Sequence, residues 1–171
     1  MEDKILLAYA TRTGSAARVA EVIAEALREG GVGVDVRPAK EVNDLSPYRA
    51  AVIGGAAYMG QWMKDVVKLV QRHRESLSRM PVAYFVVCLT MKEDTEENRA
   101  TVAAYLDAVR EQVPEVKPVS VGLFAGALER SKLPFLYRTI IKKMGAPEGD
   151  FLDREAIRTW ASELLPLLKA N

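Results

Sequence analysis

The segment KILLAYATRTGSAARVAEVIAEALREGG, Lys4 to Gly31, passes from an apolar run into a periodic one through a short hydroxyl-bearing junction. Lys4–Ala10 has the continuous hydrophobicity of a strand buried on both faces. From about Ser15 to Glu29, Val19, Val22, Ile23, Ala26 and Leu27 recur at helical spacing, and Gly30–Gly31 stops the helix. Thr11, Arg12, Thr13, Gly14 and Ser15 form the junction. Two readings fit it. In one, Thr13 or Ser15 simply caps the helix. In the other, the hydroxyls donate to phosphate oxygens, Gly14 lets the backbone come close, and the first helical N–H groups face the anion.

The same alternation continues along the chain. VGVDVRP (Val32–Pro38), AAVIGGA (Ala50–Ala56), PVAYFVVCLT (Pro81–Thr90) and KPVSVGLFAGA (Lys117–Ala127) read as four more strands. Helices are predicted over Trp62–Leu77, from about Thr95 to Glu111, and over Asp153–Ala170. In the last of these Asp153 is the expected cap, with Trp160, Leu164 and Leu167 facing inward. Strands alternating with helices imply right-handed parallel crossovers with helices on both faces. The predicted class is α/β: a three-layer α/β/α domain over residues 1–171, with a five-stranded parallel sheet in the order 2-1-3-4-5. One stretch fits no plain unit, Leu128–Phe151, and is read as an insertion before the last helix.

Composition narrows the function. The 171 residues carry a formal net charge of +1 and no long basic block, which gives no general attraction to nucleic acid. The single cysteine, Cys88, excludes an intrachain disulfide and any multi-cysteine metal site. At the end of an apolar strand it reads as a buried structural thiol. The single histidine, His73, sits among charges and reads as a solvated helix residue. Asp94, Glu96 and Glu97 read as the acidic first turn of a helix. The start MEDKILLAYA lacks the basic-then-apolar pattern of a signal peptide, and no apolar run nears a membrane span, so a soluble cytoplasmic protein is expected. The junction matches neither G-x-G-x-x-G nor G-x-x-x-x-G-K-[ST], which disfavours a dinucleotide or a nucleoside triphosphate.

TRTGS, directly after the first strand, resembles the T-x-T-G-[ST] flavin-phosphate loop of the flavodoxins. The resemblance implies FMN as cofactor, its phosphate held by Thr11, Thr13, Gly14 and Ser15 with Arg12 assisting its charge. Family members commonly carry a further Thr where this chain has Ala16. GGAAYMGQW (Gly54–Trp62) falls where flavodoxins hold one side of the isoalloxazine ring. Ala57, Tyr58, Met59, Gly60 and Trp62 are therefore candidates, although Tyr58 and Trp62 also suit a core at a helix start. Met59-Gly60 resembles the family's flipping peptide at flavin N5. CLTMKED (Cys88–Asp94) should approach the other edge of the ring, with Leu89, Thr90 and Met91 as candidates.

The stretch GLFAGALERSKLPFLYRTIIKKMGAPEGD, with YMGQW, resembles the menaquinone-dependent protoporphyrinogen dehydrogenases, which carry a long insertion before the last helix. That likeness implies an FMN-dependent oxidoreductase that takes a reduced porphyrin precursor and passes electrons to quinone, with no catalytic side chain of its own. Arg130, Lys132, Arg138, Lys142 and Lys143 are then candidates for the substrate's carboxylates. Leu133–Met144 reads as a short helix with Leu136, Ile140, Ile141 and Met144 on one side. A basic amphipathic helix of this kind suits peripheral membrane contact, packing on the sheet, or a homodimer contact. The rival reading is a flavodoxin-type electron carrier that meets a redox partner protein. A further rival is a flavodoxin-like domain without cofactor.

Overall fold

The computed structural model describes residues 4–128, 135–143 and 149–169. The strands are β1 (Lys4–Ala10), β2 (Gly33–Pro38), β3 (Tyr48–Tyr58), β4 (Gln61–Trp62), β5 (Val82–Val87), β6 (Ser120–Phe124), β7 (Ala127–Leu128) and β8 (Gly149–Asp150). The helices are α1 (Ser15–Glu29), α2 (Lys64–Arg72), α3 (Arg74–Ser78), α4 (Glu96–Ala103), α5 (Asp107–Gln112), α6 (Phe135–Lys143) and α7 (Arg154–Lys169). The main sheet runs β2-β1-β3-β5-β6, and each of these neighbours is parallel. This is the expected 2-1-3-4-5 order. The short β4 is an addition, folded back antiparallel on the end of β3.

Both faces of the sheet are covered, which is why the central strands β1, β3 and β5 are apolar almost throughout, whereas the edge strands β2 and β6 are only partly buried. On one side α1 and α7 pack over Ile5, Leu7, Val52 and Phe85. On the other, α2 to α5 pack over Leu6, Ile53, Tyr84 and Val86. Close packing also dictates a glycine in mid-sheet: a Cβ on Gly54 would stand 2.1 Å from the Phe85 ring. Asp153 caps α7 as expected, accepting from the Ala156 N–H at 3.0 Å.

Several elements depart from their predicted bounds or faces, among them β3, longer at both ends, and β5, which ends at Val87. The helix expected from Trp62 begins at Lys64, because Met63 is extended and its N–H donates to Ala56 O at 3.1 Å. It breaks at His73, which is half-buried, and burial lowers the imidazole pKa below its usual value. The helix expected over 95–111 is interrupted by a tighter turn at Ala104–Leu106. The fifth strand stops at Phe124 and resumes as β7, which pairs with β8 instead of the main sheet. In α7 the inward stripe is Ile157, Ala161, Leu164 and Leu168, whereas Leu167 is 40% exposed. Among the described residues no helix is long and apolar enough to cross a membrane.

Candidate functional site

The β1–α1 junction lies at the carboxyl end of the sheet, where β1 and β3 run side by side and their crossovers diverge. Thr11 Oγ1 accepts the Gly14 N–H at 2.9 Å, which folds the loop back on itself. Gly14 has φ +101°, a left-handed conformation that favours glycine, and no atom lies within 4 Å of where its Cβ would be. No side chain caps α1, so neither Thr13 nor Ser15 plays that part. The first intrahelical bond is Arg18 N–H to Gly14 O, at 3.1 Å. The helix thus presents uncapped N–H groups beside two hydroxyls and an open glycine. That is the donor set a phosphate requires.

From Ser15 a cavity of about 730 Å³ extends between the ends of β3 and β5. Ala57, Tyr58, Met59 and Gly60 from the end of β3, and Leu89 and Thr90 from the end of β5, are among its lining residues. Met59 and Gly60 form the two-residue turn between β3 and β4, with φ values of +53° and +78°. Arg12 is exposed and does not line the cavity, but its guanidinium stands 5.4 Å from the Tyr58 ring centroid, a cation–π contact.

Three sequence candidates are placed elsewhere. Trp62 is in the core, 4% exposed, because β4 folds back along β3 and turns the indole inward. There its Nε1–H donates to Gly55 O at 3.2 Å, and its ring meets Tyr84 edge-on at 5.2 Å. Met91 is buried beneath the tight turn Leu89–Lys92, and Ala16 is buried on the inner face of α1. Of the cationic candidates, Arg130 and Lys132 lie outside the described residues. Arg138, Lys142 and Lys143 lie on α6, exposed, and do not line the cavity.

Other cavity residues carried no local signal. Gly126 and Ala127 arrive with the chain leaving β6, and a Cβ on Gly126 would sit 3.1 Å from Ser15 Oγ. Asn98, from α4, donates through Nδ2 to Thr90 O at 3.2 Å and to Glu93 O at 2.8 Å, bracketing the third loop. Thr95 caps α4 by accepting the Asn98 N–H at 3.1 Å. Arg99 holds the Asp94 carboxyl below its usual pKa through a 2.6 Å hydrogen bond. Cys88 is not the buried thiol expected: it is half-buried, lines the cavity, and lies 3.6 Å from Thr90 Oγ1. Lys92, Glu93 and Tyr105 complete the far end.

Comparison with known proteins agrees with this geometry. The flavodoxin domain family matches residues 6–155. The chain is 31% identical to protoporphyrinogen IX dehydrogenase [quinone] of Leishmania major, over 96% of its own length and 75% of that protein's. It is 25% identical to the protein of the same name from Escherichia coli (strain K12), with 96% of each chain covered. Oxidised Flavodoxin 2 from Bacillus cereus has the same fold, with a TM-score of 0.58 at 19% identity, covering 92% of this chain and 94% of that one. The cofactor of this family is FMN, and the uncapped α1 terminus, open Gly14 and the cavity beside Tyr58 fit its phosphate and ring. The chain belongs to the flavodoxin domain family and, within it, is similar over nearly its whole length to the quinone-dependent protoporphyrinogen IX dehydrogenases.

Proposed function

We propose that this chain is an FMN-dependent dehydrogenase that oxidises protoporphyrinogen IX and uses a quinone as electron acceptor. The observation that carries this is the extent of the cavity. It runs beyond the two ring-holding loops to Asn98 and Tyr105, which leaves a place for a second molecule beside the flavin. The names of the full-length relatives support the choice of substrate and acceptor.

In this reading Thr11, Thr13, Gly14 and Ser15, with the first N–H groups of α1, hold the phosphate. Tyr58, in contact with Arg12, and the Met59–Gly60 turn hold one side of the ring. Leu89 and Thr90 hold the other, and Asn98 fixes the backbone on which they sit. Bound FMN supplies the hydride and electron exchange. The protein's share is binding, orientation and exclusion of water.

Helix α6 supports a quinone acceptor. Phe135 and Leu136 are 77% and 75% exposed, and Lys142 and Lys143 lie in its last turn. Apolar side chains with neighbouring cations suit an anionic lipid surface, where a lipid-soluble quinone resides. The protein then works in the cytoplasm, at the inner face of the membrane.

The test is anaerobic turnover of FMN-saturated protein with protoporphyrinogen IX and a menaquinone analogue, followed by porphyrin fluorescence against an enzyme-free control. Quinone-dependent porphyrin formation is expected. A folded, flavin-loaded protein that gives none overturns the dehydrogenase reading in favour of an electron carrier.

A further inference from the structure

A second groove, of about 360 Å³, lies between α2 and α5. Trp62, Val67 and Val109 give it an apolar wall, and Lys64 and Lys68 stand along it. A Gln71–Gln112 hydrogen bond joins the two helices there. The groove shares Gly60 and Tyr105 with the flavin cavity, so the two openings meet at that pair. The Tyr105 ring lies 3.8 Å from where a Gly60 Cβ would stand.

The charge of this groove has one sign. Among the described residues, no Asp or Glu lines it. Lys64 and Lys68 are exposed, and neither is ion-paired among the described residues. Four residues apart on one helix, they project from the same face, about 5–6 Å apart at Cβ. A groove of about 610 Å³ beside β6 is lined by Asp94, Asp153, Glu155 and Glu163 against Lys92 and Arg99, and an adjoining one of about 640 Å³ on α7 by Glu155 and Glu163 against Arg158. That surface repels a dianion. The cations of α6 line neither the flavin cavity nor the α2–α5 groove.

We infer that the α2–α5 groove is the carboxylate subsite of the substrate. The macrocycle lies against Tyr105 and the Gly60 turn, and its two neighbouring propionates reach Lys64 and Lys68. This rests on the porphyrinogen reading above and moves carboxylate recognition from the segment after β6 to α2.

The experiment is equilibrium binding of protoporphyrin IX, and separately of its dimethyl ester, to FMN-loaded protein. It compares wild type, Lys64→Gln/Lys68→Gln and Lys142→Gln/Lys143→Gln. Wild type should prefer the diacid to the ester, and added salt should shrink the preference. The Lys64→Gln/Lys68→Gln variant should bind the diacid about fivefold more weakly, the sum expected of two exposed pairs, with ester and FMN affinities unchanged. The Lys142→Gln/Lys143→Gln variant should retain the preference. Diacid affinity unchanged by loss of both α2 lysines overturns the subsite and leaves the porphyrinogen reading standing. A wild type that takes FMN but binds neither porphyrin overturns that reading, and the subsite with it.

Discussion

Gly126 stands where the chain leaving β6 passes the start of α1, with Val87 on one side and Ser15 on the other. A Cβ there would lie 2.8 Å from Val87 Cγ1 and 3.1 Å from Ser15 Oγ. Gly126→Ala should therefore press on the cavity wall beside the phosphate loop. We expect a stability loss of about 1 kcal/mol from overpacking, and FMN binding weakened about tenfold, or about 1.4 kcal/mol. Flavin fluorescence titration reads the affinity. An unchanged value would mean that FMN does not reach Ser15. Thr11 to Ser15 are recognisable in sequence because five consecutive residues carry the whole pattern. Asn98 is not, because the carbonyls it holds, those of Thr90 and Glu93, meet it only once α4 has packed. Trp62 misleads for a related reason: a large aromatic beside a loop suits a flat ligand and a core equally. Only the turn at Met59–Gly60 decides that it points inward.

That turn has positive φ at both central residues, the geometry of the tightest β-hairpins, which normally take Asn, Asp or Gly first. A Met held there costs roughly 1–2 kcal/mol relative to its preferred conformations. Met59 is 68% exposed, so packing does not explain its presence. Met59→Asn should raise stability by about 0.5–1 kcal/mol, since Asn tolerates the left-handed region; urea unfolding of the FMN-free protein measures this. A loss of stability would mean that the Met59 side chain contributes more than its backbone costs. A second element depends on pH. Arg18 bonds Asp150 at 2.8 Å, tying α1 to β8, and this bond, followed by the Leu152 N–H, lowers the Asp150 pKa. A lowered carboxylate pKa gives stability that is complete above the unfolded value, near 4, and is lost as pH falls through the folded one. Both side chains are more than a third exposed, so solvent screening keeps the effect of Asp150→Asn below about 1 kcal/mol. Urea melts of the two proteins should differ at pH 7 and converge at the acid end. A difference that persists in acid would assign the effect to something other than charge.

Across the whole molecule, the sheet order follows from strand–helix alternation, because parallel strands admit one crossover hand and continuous apolar runs demand cover on both faces. The stretch after β6 obeys no such rule. Its short β7–β8 pair is set by tertiary contacts, such as Phe151 N–H to Gly126 O at 3.1 Å, whereas helical spacing already marks α6 within Leu133–Met144. The apolar residues of α6 at 135 and 136 face solvent, although periodicity alone leaves packing on the sheet equally open. A nine-residue helix makes a weak anchor, so its cations have to contribute, at about 1 kcal/mol per Lys or Arg near an anionic surface. The FMN-loaded protein should therefore sediment with vesicles containing anionic lipid, and not with purely zwitterionic ones. Binding should fall as ionic strength rises and the Debye length shrinks below about 10 Å. Lys142→Glu/Lys143→Glu should abolish it, and Phe135→Ser/Leu136→Ser should weaken it at every salt concentration, because burial of a large apolar side chain contributes about 1.5–3 kcal/mol. Quinone reduction in vesicles should follow binding in both variants, while turnover with a water-soluble quinone stays at the wild-type rate. If sedimentation is absent at low salt, α6 faces a protein or a second copy of this chain instead, and the acceptor must reach the flavin from solution.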